Sequence, residues 1–107
     1  MAINFVAPQA SNVTTTTTVY NPTTAGVQAT ITGGLICNKT ASTVYVSVTL
    51  TNASATVTTN IAYNLQVQAG NTLDFIQSAK INVPYNYVVA ATSTGAVDVT
   101  LSASESS

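Results

Sequence analysis

The residues able to do chemistry are few, and their spacing does not assemble a site. The chain has no His, which removes the usual general base and the commonest metal ligand. Its carboxylates are Asp74, Asp98 and Glu105. Asp98 falls on the polar phase of the last strand-like segment and Glu105 among the final residues, so each reads as a solvated charge rather than half of a catalytic pair. A calcium site would need several oxygens from one acidic loop, and none is present. Cys37 is the single cysteine. It has no partner for a disulfide within the chain and no His to activate it, and its place on an alternating segment predicts a small buried hydrophobe. No catalytic residue, metal ligand or cofactor-binding residue is expected, and the chain reads as a non-enzyme. Asn12, Asn38 and Asn52 each open an N-x-Ser/Thr triplet, as chance supplies in a chain this rich in those residues.

The elements around these residues are strands. From Val27 to Leu50 the chain reads VQATITGGLICNKTASTVYVSVTL. Val27, Ala29, Ile31, Gly33, Leu35 and Cys37 alternate with polar residues, the period of a half-buried strand. After turn-type residues from Asn38 to Ser42, Val44, Val46, Val48 and Leu50 resume the alternation, so the segment predicts a β-hairpin. Upstream, Met1 to Asn12 shows no sustained period and is expected as an N-terminal arm, ordered against a neighbour. Val13 to Tyr20 is β-branched and predicts an edge strand, followed by an Asn21–Gly26 turn. Downstream, Asn52 to Asn60 is a polar link. Ile61, Tyr63, Leu65 and Val67 form one face of a further strand, and Leu73 and Phe75 resume it after a turn at Ala69–Asn71. Ala79, Ile81 and Val83 make another, Val88 to Ala91 reads as a strand buried on both faces, and Val97, Val99 and Leu101 close the series. Seven or eight short strands with regular turns predict an all-β, antiparallel β-sandwich or jelly-roll-like barrel. Its span is residues 13–103, with a flexible tail at 104–107.

Composition bounds the role. Hydrophobic residues make up 46% and charged residues 5%, with a net charge of −1, against a usual charged share of about 25%. Lys39 and Lys80 are the only cations and there is no Arg, so clustered phosphate contacts to nucleic acid are excluded. No apolar run reaches the ~18 residues of a spanning helix. The start MAINFVAPQASN lacks the basic and long apolar regions of a secretory signal, which predicts a cytosolic origin, favoured by Met1, or prior processing. A soluble monomer usually guards its surface and sheet edges with charge. This chain does not, which points to life in an assembly. Aromatic residues with a polar tip are enriched at interfaces, so Tyr45, Tyr63, Tyr85 and Tyr87 draw notice; the candidate interface set is Phe5, Val6, Tyr20, Tyr45, Tyr85 and Tyr87.

The order of features also resembles a family of small structural proteins of tailed bacteriophages, of cyanobacterial and related hosts. The matching residues are Val19-Tyr20-Asn21 before a Pro-Thr-Thr turn, the VQATITGGLICNKTASTVYVSVTL segment with its "ICN" ending, LQVQAGNTLDF, and GAVDVTLS, together covering about Val19 to Ser102. The chain departs from the family pattern between Thr51 and Asn60, where Thr and Ser replace more charged or aromatic residues. The resemblance implies a β-sandwich virion component, made in the bacterial cytoplasm and assembled as a symmetric homo-oligomer with other virion proteins. It implies no catalytic residues. The leading expectation is a head decoration or cement protein beside the major capsid protein. The alternatives are a neck, tail or baseplate accessory protein and, from another class, a carbohydrate-binding or adhesion module.

Overall fold

In a computed structural model, residues 3–24, 26–76 and 80–106 are described. They form ten strands: β1 (Ile3–Val6), β2 (Gln9–Val13), β3 (Thr17–Tyr20), β4 (Gln28–Asn38), β5 (Val44–Thr51), β6 (Thr58–Val67), β7 (Thr72–Asp74), β8 (Ile81–Val83), β9 (Val88–Ser93) and β10 (Val97–Ser106). All pairings are antiparallel, in two sheets. In the first, β1 and β2 lie along one side of β10, β4 along its other side, and β7 and β8 along the far side of β4; in the second the order is β3-β9-β5-β6. β1 and β2 keep one register against β10, from Ile3 opposite Ser106 to Ala10 opposite Val99. The gap between them is at Pro8, which has no N–H to give to the ladder. Counting β1 with β2 and β7 with β8 as interrupted single strands leaves eight positions, ordered 1-8-3-6 and 2-7-4-5. That is the two-sheet arrangement of a jelly roll. The all-β sandwich expected from the turn spacing is the observed fold.

The predicted hairpin at its centre is not. β4 and β5 belong to opposite sheets, so the Lys39–Thr43 connection crosses the sandwich. Alternation marks which side chains are buried; it does not say whether two successive strands bury them from one sheet or from facing sheets, and here they face each other across the core. The consecutive strands that do pair are β5 and β6, with Val44 opposite Val67 and Thr51 opposite Thr58. Of the polar link expected at Asn52–Asn60, residues 52–57 are their hairpin loop and Thr58–Asn60 already belong to β6. Asn52 closes the loop, its side-chain oxygen accepting from the N–H of Thr56 (2.9 Å) and Val57 (3.1 Å).

The phase of β4 changes partway along. Ala103 of β10 lies opposite Ile31, but its neighbour Ser102 lies opposite Gly33, so Thr32 is an extra, bulged residue. Beyond it the inward set becomes Gly34, Ile36 and Asn38, all buried, while Leu35 is exposed and Cys37 half-exposed. The expectation of a buried Cys37 is corrected: one extra residue sends every later side chain to the other face. Gly34 is required because a Cβ there would lie 2.7 Å from the Phe75 ring and 2.8 Å from Ile76 Cγ1. Gly34→Ala should lower stability by about 1–3 kcal/mol through overpacking. A urea melt with an unchanged midpoint would show that the Phe75–Ile76 turn gives way freely.

The two ends are paired rather than irregular. Val6, Pro8 and Ala10 point inward and Val13 is buried, a two-residue period hidden by weak hydrophobes and by a register shift near Asn12, whose φ is 54°. Val13 therefore ends β2 instead of starting the next strand, and β3 begins at Thr17 on the edge of its sheet. The predicted tail continues β10 through Ser106. β10 supplies Val97, Val99 and Leu101 to a core completed by Ile31, Ile36, Val46, Val48 and Val89. The Val88–Ala91 run opens β9, which lies between β3 and β5. Met1, Ala2, the turn residue Ala25, Ala79 of the predicted strand, and Ser107 lie outside the described residues.

Candidate assembly surface

Asn38, expected as a turn residue, is fully buried at the end of β4. Its side-chain nitrogen lies 2.8 Å from the Ser42 carbonyl oxygen, 3.0 Å from that of Val67 and 3.2 Å from that of Gln68. Its side-chain oxygen accepts from the N–H (2.9 Å) and hydroxyl (2.8 Å) of Thr40. One amide thus ties the β4–β5 crossing to the end of β6, which explains how a polar side chain sits in the core. The pattern in the sequence hid it because the Thr32 bulge had already reversed the phase.

Four of the ionisable groups are engaged in two structural pairs, Asp98 with Lys39 and Tyr20 with Glu105. Asp98 Oδ1 accepts from the Asn12 N–H and from Lys39 Nζ, both at 3.0 Å, and Lys39 also reaches the Asn12 side-chain oxygen. The Asn12 N–H and the Lys39 ammonium hold the Asp98 carboxyl below its ordinary pKa. Glu105, expected in a mobile tail, accepts a hydrogen bond from the Tyr20 hydroxyl, joining the end of β10 to β3 in the opposite sheet. Burial, then the Glu105 carboxylate, push the Tyr20 phenol well above its usual value. A phenol whose folded pKa is raised contributes stability that is present below its unfolded value of ~10 and lost as pH rises beyond it. Tyr20→Phe should therefore cost about 1–2 kcal/mol at neutral pH, as for a hydrogen bond to a charged group at a partly buried site. It should also flatten the alkaline limb of a stability-versus-pH curve; an unchanged limb would show that the pair carries no coupling.

Among the described residues, no three His, Cys, Asp or Glu come together as a metal cluster would require. Cys37 lies opposite Asp98 in the β4–β10 pair, so its neighbour is a carboxylate already held by Lys39. A shallow cleft of about 270 Å³ is lined by Gln66, Val67, Gln68, Asn71, Thr72 and Leu73. None of these is charged, nucleophilic in the manner of an activated Cys or Ser, or aromatic enough to stack on a sugar.

The remaining feature is the surface itself. The outer face of the second sheet carries Tyr45, Ser47, Thr49 and Thr51 from β5, beside Thr92 opposite Ser47, and is uncharged. Of the strands that border the sheets, β1, β2, β3, β6 and β8 contain no charged residue and β7 contains one, Asp74. Large apolar side chains stand out on two of the borders: Ile3 (60% exposed) and Phe5 (86%) on β1, and Tyr63 (71%) on β6. Tyr63 was expected to share a face with Leu65. Two register shifts against β5, with Asn64 at φ 48° and its N–H bonded to Ser47 Oγ at 3.0 Å, turn it outward instead.

The sequence-selected interface set is dispersed. Phe5 is on the outer side of the first sheet and Tyr45 on the outer side of the second. Tyr85 is exposed in the β8–β9 turn. Val6, Tyr20 and Tyr87 are partly buried and pack against the core. Ile3 and Leu35, exposed on the outer side of the first sheet, were missed: Ile3 lay in a segment without period and Leu35 on the wrong phase.

No family model and no curated protein sequence matches the chain. Several solved structures resemble it, two of them as follows. One belongs to work on Bacillus endospore appendages described as disulfide-linked pili: 14% identity, 97% of this chain and 83% of that one covered, TM-score 0.54. The other is from the T13 viral particle of IBDV, with 12% identity, 96% of this chain and 35% of that one covered, and a TM-score of 0.50. This chain thus corresponds to about a third of the viral polypeptide. At these identities the likeness establishes a shared two-sheet β-sandwich architecture.

Proposed function

We propose that this chain is a non-enzymatic structural subunit of a virion of the tailed-phage kind, attached to the head as a decoration or cement protein and associating with copies of itself and with the major capsid protein. The observation that carries the reading is the near absence of charge on the border strands, of which only β7 holds a charged residue, Asp74, with Ile3, Phe5 and Tyr63 projecting from β1 and β6. Natural monomers place Lys or inward charges on such borders to stop edge-to-edge pairing; a subunit meant to associate has no need of them. Support of a weaker kind comes from architecture, since jelly rolls recur in capsids, and two similar structures come from a pilus and a viral particle. The 107 residues hold one Cys, so disulfides alone could join subunits only in pairs, and the association rests on non-covalent contacts.

Sedimentation velocity over a dilution series tests this. The purified chain should move as a reversible oligomer that dissociates on dilution. With so few charges at the borders, added salt should leave the association unchanged or strengthen it. A single monomeric boundary throughout, or dissociation by salt, would count against the reading.

A further inference from the structure

We propose that β1 is exchanged between copies of this chain, the Ile3–Val6 strand of one protomer pairing with Ala103–Ser106 of the next; the inference rests on the assembly reading above and names its contact. β1 is weakly committed to its own domain. Three of its four residues are exposed and only Val6 is partly buried, so backbone pairing to β10 is nearly all that holds it. The break at Ala7–Pro8 gives a place to swing, because the proline supplies no ladder donor there. The next anchor, the Leu101 N–H to the Pro8 carbonyl oxygen at 2.8 Å, lies beyond the moving segment.

The acceptor edge survives departure of β1. Ala103 to Ser106 remain paired on their other side with β4, from Ile31 to Gln28, and Glu105 is tied across the sandwich by Tyr20. A copy's β1 would therefore meet a preformed strand and make the same antiparallel bonds that the first one made. Exchange of an identical element costs little beyond the hinge. On the acceptor, Ile3 and Phe5 keep the outward position they have on their own domain, where Phe5 is 86% exposed, so what the exchange adds is the link between molecules. The exchanged contact is heterologous, head to tail, so it can close a ring or continue along a lattice.

The test uses Phe5 and Ser104, which face each other directly at a spacing compatible with a disulfide. In a Cys37→Ser background, one preparation carries Phe5→Cys and another Ser104→Cys. Both substituted side chains are solvent-accessible or partly so, and folding should be unaffected. The two are mixed at a concentration where wild type is oligomeric and oxidised mildly. The expected result is a reducible band at twice the chain mass in which peptide mapping finds position 5 of one chain joined to position 104 of another, well beyond the two-to-one ratio to either homodimer that random pairing of equal amounts gives. The chain carrying both substitutions should close on itself when dilute and link between chains when concentrated. If heterodimers stay at or below that random ratio, and the doubly substituted chain closes on itself at every concentration, exchange is overturned. Should wild type still associate in that case, the assembly reading stands and uses another surface; if wild type stays monomeric, both fall.

Discussion

Asn38→Ala is expected to lower the unfolding free energy by about 2–4 kcal/mol, because it leaves buried backbone groups without partners rather than merely removing a side chain. The Val67 carbonyl would lose a donor at 3.0 Å, the Ser42 carbonyl one at 2.8 Å, and the Thr40 N–H its acceptor. The loss falls at the corner where the chain crosses between sheets. Asn38→Asp keeps the shape and separates packing from hydrogen bonding. Its carboxylate would face the carbonyls that the amide nitrogen now serves, so the folded state would favour the protonated acid and raise its pKa above the ~3.9 of the unfolded chain. The sign follows: Asn38→Asp should lose stability as pH rises from about 4 towards 7. Urea unfolding at the two pH values checks both substitutions. A cost within ~0.5 kcal/mol for Asn38→Ala would mean that the corner does not depend on this amide.

Neighbouring positions on β4 give the second large effect. Ile36→Ala should cost about 2–5 kcal/mol, the range for truncating a large aliphatic side chain in a closed core, since Ile36 is fully buried. Leu35→Ala should cost less than ~1 kcal/mol, since Leu35 is 48% exposed and surface truncations away from special features are mild. Uninterrupted alternation from Val27 predicts the reverse order. Equilibrium unfolding of the two variants therefore reads out the Thr32 bulge directly, and a costlier Leu35→Ala would mean that β4 runs without it.

These two residues show what the chain disclosed and what it kept. Period-two patterns in Val44–Val48, Val97–Leu101 and Ile81–Val83 located strands and their buried faces correctly, because burial on one face imposes that period wherever the strand is regular. Bulges erase it. Thr32, Asn64 and Asn12 each lie where a register shifts, and a one-residue shift carries no mark in composition. Sheet membership was equally hidden. Val44 to Leu50 has the same pattern whether it pairs with β4 or faces it across the core, and the difference rests on the buried Asn38, which looks like any turn asparagine. At the N-terminus, Pro8 and Ala10 occupy inward positions that larger apolar residues would have advertised. The candidate surface was legible as an absence of charge and in Phe5, Tyr45 and Tyr63, which stand exposed. Its geometry depends on which strands lie at the borders, a property of topology.

A structural role in a virion requires this chain to be part of the particle. Quantitative mass spectrometry of purified virions, with the chain counted against the major capsid protein, is the direct measurement. The expected result is a copy number comparable to that of the capsid subunit, as decoration of the head requires. A copy number of a few per particle would contradict the head placement and move the chain to the neck, tail or baseplate, and its absence from the particle would contradict the structural role.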